Sequence, residues 1–262
     1  MQQGMRIAAS GAMVALYRTD VLAANLANVN TVGFKPDSAT TRSRLPVRQE
    51  DNLGFMPSSP LLEQLGAGVL AGPKRVSFDQ GPLETTGNDL DLAIEGDGFF
   101  LVGVQTENGT ETRLSRDGRL TRDDLGRLVQ TVSGLPILGP GGSPIQLPPG
   151  PITIDHQGAM YATAGNQLAQ IAVASLPSTD QLKKLGEGLF AAPPQVLAAA
   201  STQPLATGVR VHQGMIEGSA VDPIRAMMDV TQAGRSVGSN SRMIGYHDQL
   251  LDQAINTFAR VG

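Results

Sequence analysis

Residues 222–258 read DPIRAMMDVTQAGRSVGSNSRMIGYHDQLLDQAINTF, and this stretch decides the fold. A large apolar side chain recurs every seven residues, at Val230, Val237, Ile244, Leu251 and Phe258. A second row with the same spacing holds Ala226, Ala233, Asn240, His247 and Ala254. Such a sustained repeat is typical of a coiled-coil seam. Asp222 suits an N-cap and Pro223 suits the first helical position, so the stretch predicts one helix about 55 Å long.

The amino-terminal residues carry a matching pattern. Ile7, Val14 and Val21 lie seven residues apart, and Leu22 and Leu26 turn the apolar stripe slightly around the helix. This spacing predicts an amphipathic helix of about 25 residues. Two helices so far apart in sequence can bury their stripes only against each other or against other chains.

The middle of the chain has a different character, with short apolar runs between turn signals every 8–12 residues. For example, residues 92–95 and 99–102 flank Gly96-Asp97-Gly98, which resembles a hairpin turn. We therefore predict an α+β protein, in which long N- and C-terminal helices pair as a coiled coil and a mainly antiparallel β domain is inserted between them. The expected segments are an N-terminal helix at 1–34, an extended proline-containing connector at 35–80, the β domain at 81–217 and a C-terminal helix at 218–262.

The composition excludes several classes of function. The 262 residues include no cysteine, so disulfide scaffolds, zinc fingers and cysteine nucleophiles are ruled out. The formal net charge is −4 with only 20 Lys and Arg residues, which argues against nucleic-acid binding. We expect no direct membrane insertion, and no cleaved signal peptide, because Ala, Gly and Ser dilute the apolar segment after Arg6 and charged Arg18 and Asp20 follow it.

No group of titratable residues has the spacing of a catalytic, cofactor or metal site. Residues 234–238 spell G-x-S-x-G, but they lie within the predicted helix rather than after a strand. Their two glycines lower helix propensity, so we expect a neighbouring helix to approach closely there. Asp89, Asp91 and Asp97 are close in sequence but lack the spacing of a calcium loop, and solvated turn chemistry is expected instead.

One long motif is specific enough to suggest a family. Residues 23–35 read AANLANVNTVGFK, in which Asn25 and Asn28 fall on the polar side of the helix and Gly33 permits a left-handed conformation. The string resembles the signature of bacterial flagellar rod and hook axial proteins. Within it the matching residues are Asn25, Leu26, Ala27, Asn28, Thr31, Gly33 and Phe34.

The resemblance extends along nearly the whole chain. Residues 81–94, 96–100 and 114–118 are similar to further family signatures, and residues 217–223 open the terminal helix as family members do. Departures occur at Ala24 and Ala220, where the family has Asn, and at residues 234–237.

The resemblance implies a structural subunit of the flagellar basal-body rod rather than an enzyme, with no cofactor. It would be exported through the flagellar type III channel and polymerise through its terminal helices. Partners would be copies of itself and other rod subunits, together with the inner-membrane ring, the export gate or the surrounding bushing rings. The expected assembly interface comprises Ile7, Val14, Val21, Leu22, Leu26, Val230, Val237, Ile244, Leu251 and Phe258.

Two alternatives remain open from the sequence. Within the family, residues 136–148 and 182–186 are most similar to proximal rod members, whereas the connector length is closer to that of distal rod members. From another class, a β-domain adaptor could carry the same helices as a closed coiled coil.

Overall fold

The computed structural model describes residues 2–46, 66–106, 109–162, 165–200, 205 and 208–258. The chain forms two compact units. The first, here called the helical unit, contains residues 1–27, 37–75 and 222–262. The second, here called the β unit, contains residues 28–36 and 76–221.

Two long helices dominate the helical unit. Helix α1 spans Gln2–Ala27, and the last helix, α3, spans Pro223–Phe258. The predicted N-cap is confirmed, because Asp222 Oδ1 accepts hydrogen bonds from the backbone N–H groups of Ile224 and Arg225, at 2.9 and 3.1 Å. The two helices pack against each other along their lengths, and this contact buries part of each apolar stripe.

A two-stranded sheet accompanies the helices. Strand β1 spans Asp37–Ser43 and pairs with β2, which spans Val69–Val76. The Tyr17 hydroxyl of α1 donates a hydrogen bond to the Gly72 carbonyl, at 3.0 Å, and so ties the sheet to the helix. Both strands fall in the stretch predicted as an extended connector, whose central part, 47–65, lies outside the described residues.

The β unit is built from short strands whose assigned pairings are all antiparallel, as predicted. Its strands are β3 (Leu83–Thr85), β4 (Leu92–Glu95), β5 (Phe99–Thr106), β6 (Gly109–Ser115), β7 (Leu120–Arg122), β8 (Leu128–Gln130), β9 (Ile152–Ile154), β10 (Ala159–Ala162), β11 (Gln167–Gln170), β12 (Val173–Ala174), β13 (Lys183–Gly186), β14 (Leu189–Ala191), β15 (Arg210–Gln213) and β16 (Met215–Glu217). A short helix, α2, spans Pro194–Ala198.

The strands form a five-stranded sheet in the order β12-β5-β6-β14-β13 and a three-stranded sheet in the order β11-β10-β9. The remaining strands pair as β15-β4, β16-β3 and β7-β8. The predicted hairpin across Gly96-Asp97-Gly98 is wrong. Strand β4 pairs with β15, more than a hundred residues later, and β5 pairs with β6 and β12. The backbone hydrogen bonds of β4 are therefore made with a distant strand rather than with β5.

The core of the β unit is apolar and closed. Phe100, Leu92 and Ile94 are almost fully buried in one cluster, which also receives Met160 and Ile171. A second cluster centres on aromatic rings in edge-to-face contact, with the Phe99 and Phe190 centroids 6.0 Å apart. The β unit therefore holds a complete hydrophobic core of its own.

Candidate assembly site: the helix pair and its anchor

Small residues of α1 lie directly against larger side chains of α3. A Cβ atom added at Gly4 would lie 2.6 Å from Cε1 of His247, and one added at Gly11 would lie 2.9 Å from Oδ1 of Asn240. The two contacts are seven residues apart on both helices and run in opposite directions, so the helices are antiparallel. The second heptad row of α3 is the row that faces α1.

The residues predicted for the seam differ in burial. Val14 and Val21 of α1 are buried, whereas Ile7 is 37% exposed. The following residues are partly buried: Leu22, Leu26, Val230, Val237, Ile244 and Leu251. The side chain of Phe258 lies outside the described residues. The valine row of α3 is only half covered because Ala226 and Ala233, both buried, occupy the line of contact beside it.

The two glycines of the G-x-S-x-G stretch do not contact α1. Apart from their own helix backbone and chain neighbours, no described atom lies within 4 Å of a Cβ built at Gly234, and a Cβ at Gly238 would meet the Arg242 guanidinium of the same helix, at 3.7 Å. Within one chain the expected close approach does not occur at these positions, and an approach by another subunit stays a prediction. The close approach within the chain occurs instead at Gly4 and Gly11, because these are the glycines that face the partner helix.

Both helices leave apolar side chains uncovered. Met13 and Leu16 of α1 are 71% and 51% exposed. On α3 the exposed apolar side chains are Ile224, Met227, Met228, Met243, Tyr246, Leu250 and Ile255. Residues Gly4–Ala27 are long and apolar enough to cross a membrane, by length and composition only, and 22% of their most apolar stretch is buried. Core helices of soluble proteins have the same character, so the absence of membrane insertion stays a prediction. Such a helix needs an apolar environment beyond its partner α3.

Asn25 of the family motif is buried rather than on a polar, solvated face. Its side-chain Nδ2 donates to the Asp37 carbonyl, at 2.7 Å, and its Oδ1 accepts from the Asp37 backbone N–H, at 2.9 Å. The amide thus reproduces the paired hydrogen bonds of a β-bridge, and it fixes the start of β1 against the last turn of α1. This use of the amide explains why the side chain faces inward.

The other end of the motif lies in the β unit and contributes to a buried ionic cluster. Lys35 Nζ donates to Glu217 Oε1, at 2.6 Å, and to the Asp79 carbonyl, at 2.7 Å. Arg116 Nη1 donates to Glu217 Oε2, at 2.9 Å, and the Gly81 N–H donates to Oε1, at 2.9 Å. Lys35, Arg116 and Glu217 are buried. We call them the Glu217 junction.

The junction holds chain segments that are far apart in sequence. The Gly33 N–H donates to the Glu217 carbonyl, at 2.8 Å, and the Ala220 N–H donates to the Phe34 carbonyl, at 3.1 Å. Gly33 is left-handed as predicted, with φ +66°, and a Cβ there would lie 2.6 Å from the carbonyl carbon of Arg116. Only glycine fits this approach.

Burial sets the electrostatics of the junction. Loss of hydration lowers the pKa of the Lys35 amine, and the neighbouring Glu217 carboxylate opposes that shift only in part. Two cations share one carboxylate, so removal of Glu217 would leave two buried charges without their counter-ion.

Every member of the junction lies within one of the sequence motifs, but the motifs do not predict that these residues meet. The available signal was the presence of charged residues in three glycine-containing motifs, among them Lys35, Arg116 and Glu217. Spacing cannot connect residues that lie 182 positions apart, as Lys35 and Glu217 do.

Two of the residues considered for chemistry, Ser236 and Asp91, have structural partners. Ser236 lies inside α3 and its hydroxyl donates to the Gln232 carbonyl, at 3.1 Å. Asp91 is buried rather than solvated, and it accepts from the Thr86 hydroxyl, at 2.7 Å, and from Asn88 Nδ2, at 3.0 Å. Across the described ranges, no three His, Asp or Glu residues are placed to hold a metal ion.

These features define a class of structural protein, in which the two ends of the chain pair as helices and the intervening chain forms a β unit with its own core. Residues 5–35 match the family described as flagella basal body rod protein. Residues 93–173 match the flagellar hook protein FlgE/F/G D1 domain, and residues 212–257 match the flagellar basal body rod FlgEFG protein C-terminal family.

Curated relatives match along the full length. The chain is 31% identical to flagellar basal-body rod protein FlgF of Caulobacter vibrioides, with 100% of both chains covered. It is 32% identical to flagellar basal-body rod protein FlgG of Agrobacterium fabrum, over 95% of this chain and 96% of the relative. The chain belongs to the flagellar basal-body rod protein family. It is a structural subunit of the rod, in the basal body of the bacterial flagellum.

Proposed function

We propose that this subunit polymerises through α1 and α3, which pair as a coiled coil and pack against the helices of neighbouring copies and other rod subunits. The seam residues from Ile7 to Leu26 and from Val230 to Phe258 form the assembly interface. The role is structural and requires no catalysis. The observation that carries the proposal is the apolar surface that α1 and α3 leave exposed.

The position of that surface supports a helical polymer. Met13 and Leu16 lie on the side of α1 opposite Gly11, so α3 cannot cover them in this pairing. Contacts between unlike surfaces, which do not close into a ring, build filaments. Burial of apolar area at about 25 cal/mol per Å² then favours assembly.

Within the rod we propose the proximal segment. The full-length match to FlgF of Caulobacter vibrioides supports this assignment, as does the similarity of residues 136–148 and 182–186 to proximal members. The FlgG matches, at similar identity, keep the distal rod as the alternative. Export without a cleaved signal peptide, and contacts with the inner-membrane ring, the export gate or the bushing rings, belong to the same proposal.

Polymerisation can be tested with one charged substitution on each unit. Leu16→Glu places a charge on the exposed face of α1, and Leu125→Glu places the same charge at an exposed leucine of the β unit. Negative-stain microscopy of concentrated protein should show filaments for the parent chain and Leu125→Glu, and none for Leu16→Glu. Equal filament formation by both variants would contradict the proposed interface. Closed dimers in the parent would favour the adaptor alternative.

The segment of the rod can be tested in cells. Photo-crosslinkers placed at Met13 or Met228 should join the subunit to proximal rod subunits in purified basal bodies. Crosslinks only to distal rod and hook subunits would favour the distal alternative.

A further inference from the structure

The antiparallel helix pair contains two matched contacts that no part of the proposed function explains. Gly4 lies against His247 and Gly11 lies against Asn240, each with less space than one added carbon needs. The Nδ1 atom of His247 is buried and has no hydrogen-bond partner among the described residues. Asn240 donates its Nδ2 to the Ser236 carbonyl of its own helix, at 3.0 Å, which turns Oδ1 toward Gly11. Among the described residues, neither His247 Nδ1 nor Asn240 Nδ2 bonds to α1, so packing makes the main contribution to both contacts.

We infer that Gly4–His247 and Gly11–Asn240 are locking pairs, which set the separation and the rotation of α1 against α3. Each polar side chain fills the space that a glycine leaves open, as knobs fill holes in a coiled coil, so an added methyl group would have to displace the end of that side chain. Because the contacts repeat after seven residues on both helices, the pairs act on one line along the seam.

Rotation of α1 decides which of its residues face outward. Successive residues are turned by about 100°, so Met13 and Leu16 point away from α3 only while Gly11 points toward it. The locking pairs therefore position the face that neighbouring rod subunits contact. This consequence rests on the proposed function, whereas the locking contacts themselves lie within one chain.

If the pairs lock the helices, substituting the glycine should have opposite effects on the opening of the helix pair when its polar partner is present and when that partner is replaced by alanine. Gly11→Ala adds a methyl group against Asn240 Oδ1 and should open the helix pair. In an Asn240→Ala background the recess has room for that methyl group, and the higher helix propensity of alanine should close the pair. Gly234→Ala, at a helical position with free space, is the matched control and should close the pair in both backgrounds.

Opening can be measured by cysteine alkylation, because the natural chain has no cysteine. A reporter at buried Val14 (Val14→Cys) reacts when the pair opens, and one at exposed Leu16 (Leu16→Cys) gives the unhindered rate. In the full-length chain at monomeric dilution, Gly11→Ala should raise the Val14→Cys rate about tenfold, and should lower it when Asn240 is alanine. Gly4→Ala with and without His247→Ala should behave alike.

The inference would be overturned if Gly11→Ala changed the alkylation rate of Val14→Cys in the same direction in both backgrounds. It would also be overturned if that rate already equalled the unhindered rate in the parent chain, since the helix pair would then be open. The alkylation rates are independent of filament formation. The locking pairs can therefore fail while the Leu16→Glu test succeeds, and the reverse also holds.

Discussion

The two units bury their apolar side chains in different ways. In the β unit, Phe100, Leu114 and Phe190 are fully enclosed by strands of the same unit. In the helical unit, Met13, Leu16 and Met228 remain more than half exposed on helices that contact each other through glycine and alanine. A core that is complete within one chain stabilises a subunit, whereas an incomplete one stabilises an assembly. One chain here contains both.

The largest expected effect comes from loss of the Glu217 carboxylate, which should destabilise the β unit. Glu217→Ala leaves Lys35 and Arg116 buried without a counter-ion, so the β unit should lose about 3–5 kcal/mol of unfolding free energy. Chemical denaturation measures the change. Glu95→Ala removes an exposed carboxylate paired with His212 and is the control, for which a much smaller loss is expected because solvent screens the pair. Equal losses would mean that the junction contributes no more than a surface ion pair.

Limited proteolysis should separate the two units next. In the isolated monomer, sites in α1 and α3 should be cut about a hundredfold faster than sites in β5 and β6, since the helices lack neighbours. The resistant fragment should begin near residue 28 rather than after residue 34, because residues 28–36 belong to the β unit. Mass spectrometry locates the cuts. Equal protection of α1 and β5 would contradict the expected difference in protease resistance between the two units.

Asn25→Ala should have a smaller and more local effect. The substitution removes both hydrogen bonds to Asp37, at a cost of about 1–3 kcal/mol. Amide exchange should rise in β1 and in the last turn of α1, while β5 and β6 stay protected. Asn30→Ala, at an exposed position, should change neither region. A rise that also reaches β5 would show that the units do not open separately.

The pH dependence of the Lys35 contribution should be the smallest effect. Burial lowers the pKa of Lys35 in the folded chain, so between its folded pKa and about 10.4 the unfolded chain binds more protons. Folding stability must then rise with pH through that window. The difference in unfolding free energy between the parent and Lys35→Met should shift in favour of the parent as pH rises. A flat or falling difference would contradict the lowered pKa.

The sequence predicted the features that depend on neighbours along the chain. These include the start of α3 at Asp222, the left-handed Gly33 and the antiparallel strands. It could not predict which row of α3 faces α1, because a seven-residue period defines faces but not their partners. For the same reason the tie between β4 and β15 and the Glu217 junction emerged only in the folded chain. The sequence placed Asn25 on a solvated face of the helix, whereas its side chain bonds to the backbone of Asp37. A bond to a backbone group does not depend on the type of the partner residue, so the sequence contains no sign of it.

The offset between the two helices gives the pair distinct ends. With Gly4 opposite His247, the first described residue of α1, Gln2, lies level with about residue 249, and α3 continues to Phe258. At 1.5 Å per residue, α3 extends about 13 Å beyond the level of Gln2 and carries Leu250 and Ile255 on these turns. At the other end, Ala27 lies level with about residue 224, next to the start of α3 at Pro223. The described helix pair is therefore flush at one end and offset at the other, so its two ends offer unlike contact surfaces.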